Sequence, residues 1–67
     1  MIDVTLNGEH RRLEDGTTVD VMVAGLDCGP AGVAVAINGD VVPRSRWVAT
    51  PLSADDRVEV LAAAQGG

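Results

Sequence analysis

The sequence predicts an α+β fold in which a mixed sheet of four to five strands carries one short helix on one face. Three observations point to it. Apolar residues alternate with polar ones near both ends of the chain and once in the middle, only one segment has helical spacing, and two Asn-Gly pairs stand where strands would reverse. With 67 residues the chain makes one small domain. Its single cysteine, Cys28, forms no internal disulfide, and one histidine, His10, with one cysteine does not complete a zinc shell. Stability therefore falls to packing, and a hydrophobic fraction of 46% with almost no aromatics predicts an aliphatic core.

Ile2, Val4 and Leu6 alternate with Asp3, Thr5 and Asn7, the period of a strand with one buried face. Asn7-Gly8 suits a two-residue turn with positive φ at both positions. That turn would set Leu6 opposite Glu9, Val4 opposite Arg11 and Ile2 opposite Leu13. Only Leu13 is plainly apolar in the return strand, which predicts a sheet edge with the aliphatic stem of Arg11 over the core rim. After Glu14-Asp15-Gly16 the period changes. Val19, Met22, Val23 and Leu26 form the stripe of an amphipathic helix, with Thr17 or Thr18 to cap it and Asp20 in its first turn, where the helix dipole favours negative charge. Gly25 and Cys28-Gly29-Pro30 end it.

Val33, Val35 and Ile37 resume alternation, with Ala34 and Ala36 on the other face, before a second turn at Asn38-Gly39-Asp40. Val41-Val42 starts a short strand whose pairing Pro43 limits, which again favours an edge. Arg44 to Ala49 shows no clear period, and Thr50-Pro51 with Ser53 to Asp56 forms a turn-rich connection. The last strand, Arg57 to Ala62, places Val58 and Val60 on one side and Glu59 and Leu61 on the other. Residues 1–62 thus form the domain, and residues 63–67 form a flexible tail ending in Gly-Gly, with no large side chain to bury. One helix covers one face of one sheet, and the simplest closure sets the first and last strands in parallel at the centre. This is the β-grasp arrangement of ubiquitin-like proteins.

Charge and composition exclude several functions. Five Arg and no Lys against ten acidic residues give a net charge of −5, which repels a nucleic-acid backbone, and the lone Trp47 provides no stacking platform. Without lysine there is neither a P-loop lysine nor a Schiff-base nucleophile. No apolar run approaches the roughly 20 residues that cross a bilayer, and the opening residues alternate unlike a signal peptide, so a cytoplasmic protein without membrane partners is expected.

The Gly66-Gly67 terminus carries the most chemical information. Glycines pass through a narrow channel where a side chain would clash. The terminal carboxylate is a poor electrophile until it is converted to a mixed anhydride, as adenylation by ATP on a partner enzyme would do. Other residues support blander readings. Cys28 lacks a basic neighbour and reads as a structural thiol; His10 with Ser45 or Ser53 lacks a nucleophile motif; Asp55-Asp56 reads as a solvated turn and not a cation site. Trp47 is either a lid over the core or an interface anchor. Arg44 and Arg46 are candidate contacts for acidic groups on a partner. Leu61, with Ala34 and Ala36, forms a candidate apolar docking patch on the helix-free face.

Across its whole length the sequence resembles the ThiS family, bacterial sulfur carriers of thiamine biosynthesis. The matching pieces are Asn7-Gly8-Glu9, Gly16-Thr17-Thr18-Val19, Val35-Ala36-Ile37-Asn38-Gly39, Val41-Val42-Pro43-Arg44-Ser45 with Trp47, and Asp56-Arg57-Val58-Glu59-Val60 through Ala64-Gln65-Gly66-Gly67. Asp55-Asp56 departs from a more usual Gly-Asp turn, and Ala63-Ala64 from Ala-Val. The resemblance implies a protein co-substrate and not an enzyme, with no cofactor of its own. A ThiF-type, ubiquitin-activating-like adenylyltransferase would consume ATP to adenylate Gly67. An upstream sulfur donor would then convert Gly67 to a thiocarboxylate, with Gln65 and Gly66 threading the partner's channel, and a ThiG-type thiazole synthase would take the sulfur. The alternatives are a carrier like the small subunit of molybdopterin synthase, a ubiquitin-like covalent modifier, and an interaction module with an inert tail.

Overall fold

The N-terminal alternation folds into a hairpin of β1 (Ile2–Leu6) and β2 (Glu9–Leu13) in the computed structural model, which describes residues 1–26 and 32–62. Asn7 (φ 51°) and Gly8 (φ 84°) both take the left-handed conformation of a two-residue hairpin turn. The register is the expected one, with Ile2 opposite Leu13, Val4 opposite Arg11 and Leu6 opposite Glu9. A second turn of the same kind, Asn38 (φ 52°) and Gly39 (φ 90°), joins β3 (Val33–Ile37) to β4 (Asp40–Val42).

The helix α1 spans Val19–Ala24 and buries Val19, Met22 and Val23, with Leu26 partly buried beyond its end. Thr18 occupies the cap position, but its side chain caps nothing and its hydroxyl donates to the Asp20 carboxylate. The cap is replaced by a tertiary contact: the Val19 amide donates to the Thr50 carbonyl at 2.9 Å, and the Leu52 amide donates to the Thr17 carbonyl at 2.8 Å. The start of the helix is thus tied to the segment after residue 49, so a local side-chain cap is not required.

Arg44–Ala49, which has no periodic pattern, forms a 3₁₀ turn whose one buried side chain is Trp47. The indole Nε1 donates to the Val42 carbonyl at 3.0 Å, which satisfies the ring's polar atom while its carbons join the core.

β5 (Arg57–Ala62) completes a five-stranded sheet in the order β2-β1-β5-β3-β4. β1 and β5 lie parallel and the other pairs antiparallel, and the arginine-bearing β2 and the strand before Pro43 form the two edges. This is the β-grasp arrangement. Val4, Leu6, Val35, Val58 and Val60 point from the sheet toward Val19, Met22, Val23, Trp47 and Leu52. Among the described residues no polar or charged residue is buried, so apart from the Trp47 hydrogen bond the core side chains are joined by apolar contact. No helix among the described residues is long and apolar enough to cross a membrane.

Candidate functional site

Any chemistry at the terminus depends on β5, because the tail leaves from its end. β5 is the central strand, paired with β1 through Thr5↔Arg57 and Leu6↔Val58, and with β3 from Ile37↔Val58 to Val33↔Ala62. Two asparagine side chains add to these ladders. At the start of β5, Asn38 Oδ1 accepts from the Arg57 amide at 2.9 Å, and its backbone amide donates to the Arg57 carbonyl at 2.7 Å. Farther along, Asn7 Oδ1 accepts from the Val60 amide at 2.9 Å, and Asn7 Nδ2 donates to the Val60 carbonyl at 3.1 Å. Both asparagines look like turn residues in the sequence, and their bonds to β5 are the functional feature that sequence reasoning missed. The signal was present in part, since each precedes a glycine at the end of a strand that flanks β5. Gln65, Gly66 and Gly67 lie outside the described residues, as does Cys28.

The candidate docking residues Leu61, Ala34 and Ala36 lie on the helix-free face of the sheet, where Ala36 is opposite the exposed Glu59. Leu61 is 67% exposed, and its partner across the ladder, Ala34, is exposed beside it. Val41, opposite Ala36 on the edge strand, is 73% exposed and extends the patch beyond the residues expected from sequence. An apolar surface formed by adjacent strands beside the root of the tail suits a protein partner.

The other half of the same face is charged. Asp3 Oδ1 lies 2.9 Å from His10 Nε2 and 3.3 Å from Arg12 Nε. The hydrogen bond from His10, followed by that from Arg12, holds the Asp3 carboxyl below the ordinary aspartate range. His10 therefore pairs with a surface carboxylate and not with Ser45 or Ser53, and all three members of the cluster are exposed. At the turn before β5, the Asp56 carboxylate accepts from Asn38 Nδ2 at 3.0 Å and from the Ser53 amide at 2.8 Å. These bonds close the turn. Asp55 has φ 69°, the conformation for which the more usual glycine is suited. Among the described residues no group of three or more His, Cys, Asp or Glu side chains is placed to hold a metal.

Of the two readings of Trp47, its burial in the core fits the lid: the residue is 5% exposed. Arg44 lies over that ring at 5.8 Å from its centroid, a cation–π contact on the outside of the core. Arg46 is exposed, and neither arginine forms an ion pair among the described residues. On the helix side, an apolar groove of about 320 Å³ runs between α1 and the first hairpin, walled by Val4, Leu13, Met22 and Leu26. Its polar lining, Arg11, Glu14 and Thr17, contains no hydrogen-bonded pair of nucleophile and base, while the presence of Arg11 fits its expected place at the core rim.

Comparison with known proteins covers both the fold and the terminus. The ThiS family profile matches residues 4–67. A thiazole synthase of Magnetococcus marinus is 41% identical over 64 residues, covering 96% of this chain and 20% of that protein. The chain thus spans about one fifth of that relative's length. The sulfur carrier protein ThiS of Escherichia coli is 29% identical over 66 residues, which cover 98% of this chain and all of that one. A crystal structure of the thiamine biosynthesis protein ThiS from Geobacter metallireducens superimposes with a TM-score of 0.82 at 29% identity, covering 98% of this chain and 100% of the other.

Proposed function

The chain belongs to the ThiS family, and on that premise we propose that it is a sulfur carrier for the thiazole ring of thiamine, a protein co-substrate and not a catalyst. The observation that carries this reading is a family match that runs through the sheet to residue 67 and so includes the Gly66-Gly67 terminus. In the proposed cycle, the Gly67 carboxylate attacks the α-phosphorus of ATP on a ThiF-type adenylyltransferase and pyrophosphate leaves. The acyl-adenylate is now a competent electrophile. Sulfide-level sulfur from a donor attacks the acyl carbon and AMP leaves, giving the thiocarboxylate. On a ThiG-type thiazole synthase the sulfur passes to the thiazole precursor, the carbon–sulfur bond to Gly67 breaks, and an oxygen from water or from the precursor's carbonyl takes its place, so the terminus returns as a carboxylate.

The geometry supports this division of labour. The partners supply the chemistry, and the β-grasp body supplies a firm root in β5 and a face to dock. Leu61, Ala34, Ala36 and Val41 form the proposed docking patch, with Arg44 and Arg46 as candidate contacts elsewhere on the surface. Gln65 and Gly66 are proposed to thread the partner's channel, since residues with little or no side chain near the carbonyl leave room for a close approach. The name of the Magnetococcus relative, thiazole synthase, supports a synthase of that type as the receiving partner.

Intact-mass spectrometry tests the reading. Incubation with the adenylyltransferase, ATP and a sulfur donor should raise the mass by the difference between sulfur and oxygen, and deletion of Gly67 should abolish the shift. An unchanged mass with enzymes that charge another family member would overturn it. Conjugates joined through Gly67 to lysines of other proteins would instead favour a covalent modifier.

A further inference from the structure

β1 leaves the sheet early. Its pairing with β5 comprises Thr5↔Arg57 and Leu6↔Val58, after which the chain turns back at Asn7-Gly8 and β5 continues past its parallel neighbour. The Asn7 backbone amide still reaches the Val58 carbonyl, at 2.9 Å. Its side chain then takes the place of the next strand residue. Oδ1 accepts from the Val60 amide at 2.9 Å and Nδ2 donates to the Val60 carbonyl at 3.1 Å, the acceptor and donor that a parallel neighbour would offer there. Few side chains can do both. Aspartate has no donor, serine is too short to span both groups, and the left-handed φ of 51° further restricts the position to Asn, Asp or Gly.

We infer that Asn7 is a positioning residue for the terminus: its amide extends the β1 edge to Val60 and so sets the root from which the last residues reach a partner's active site. The functional half of this inference rests on the sulfur-carrier reading. Gly67 lies seven positions beyond Val60, and a fully extended chain covers at most about 25 Å over that length, at roughly 3.3–3.6 Å per residue. Within so short a reach, the placement of the Gly67 carbonyl carbon depends on how firmly the root is held. A fluctuating root lowers the fraction of docked complexes with that carbon in place, without altering the Leu61 patch that docks.

Two variants separate positioning from folding. Asn7→Asp keeps the shape and tolerates the turn but sets a carboxylate oxygen against the Val60 carbonyl; Asn7→Gly keeps the turn and removes the amide. Hydrogen exchange should show the Val60 amide opening roughly ten- to thirtyfold more readily in Asn7→Gly, as expected for the loss of two hydrogen bonds of ordinary net strength, and about threefold or more in Asn7→Asp, which keeps the acceptor for the Val60 amide but loses the donor to its carbonyl. The Val35 amide should change much less. In adenylation assays, with both variants shown to be folded by Trp47 fluorescence, kcat should fall about fivefold or more while KM stays within about twofold, since only a step after docking is impaired. Unchanged Val60 exchange overturns the clamp. An unchanged kcat, or a rise in KM alone, overturns the positioning role. Failure of the wild-type protein to be charged would instead defeat the carrier reading, while the exchange data would still decide the clamp.

Discussion

Replacing Leu61 with alanine should weaken partner binding while leaving the fold almost intact. Full burial of a leucine side chain is worth about 1.5–3 kcal/mol. Leu61 is 67% exposed, so roughly one third of that value, about 0.5–1 kcal/mol, already contributes to folding. The remaining two thirds, about 1–2 kcal/mol, becomes available when a partner covers the patch, equivalent to roughly 5- to 30-fold in Kd. Calorimetric titration against the adenylyltransferase and against the thiazole synthase measures the binding part. Urea unfolding followed by the fluorescence of Trp47, the only aromatic residue, measures the folding part. A Leu61→Asp change should weaken binding further, because docking would then desolvate a carboxylate. If both partners bind the alanine variant within twofold of wild type, the helix-free face is not where they dock.

The turn before β5 supplies a second prediction. Asp55 has φ 69°, so Asp55→Gly should stabilise the protein by about 0.5–1 kcal/mol and raise the urea midpoint, since removing Cβ relieves more strain than glycine's added freedom costs. A lower midpoint would mean that the Asp55 side chain contributes more than its backbone strain removes. The third prediction concerns acid stability. The Asp3 carboxyl is depressed below 3.8 by His10 and then Arg12, so its contribution is present above the unfolded-state value and is lost as pH falls through the folded-state value. Wild type should therefore lose stability more steeply than Asp3→Asn as pH falls below about 4; parallel curves would show that the cluster adds nothing to folding.

Much of this fold is legible because strand and turn geometry leave few options. Once Asn7-Gly8 forms the whole turn, a period of two fixes every pair from Leu6↔Glu9 to Ile2↔Leu13, and those are the pairs observed. The Val19, Met22 and Val23 stripe and the two edge strands follow from similarly local patterns. What local pattern does not encode is where a polar side chain finds its partner. Thr18 is an apt cap, yet the Val19 amide is satisfied by Thr50, more than thirty residues away in sequence. Arg44–Ala49 has no period because its turn is organised by one inserted ring, Trp47, bonded to Val42. Asn7 and Asn38 each bond to residues of β5 far along the chain, and a turn motif says nothing of such contacts. For the site, Leu61 and Ala34 were readable from alternation, Val41 required the β3–β4 register, and the chemistry of Gly67 came from likeness to a family.

Sulfur transfer from a charged carrier tests the account most directly. The protein should be loaded with heavy-isotope sulfur, freed of small molecules, and mixed with a thiazole synthase and its remaining substrates. Heavy sulfur should appear in the thiazole product as the carrier returns to its carboxylate mass, in step with product formation. If thiazole forms with unlabelled sulfur while the label stays on Gly67, this chain is not the donor.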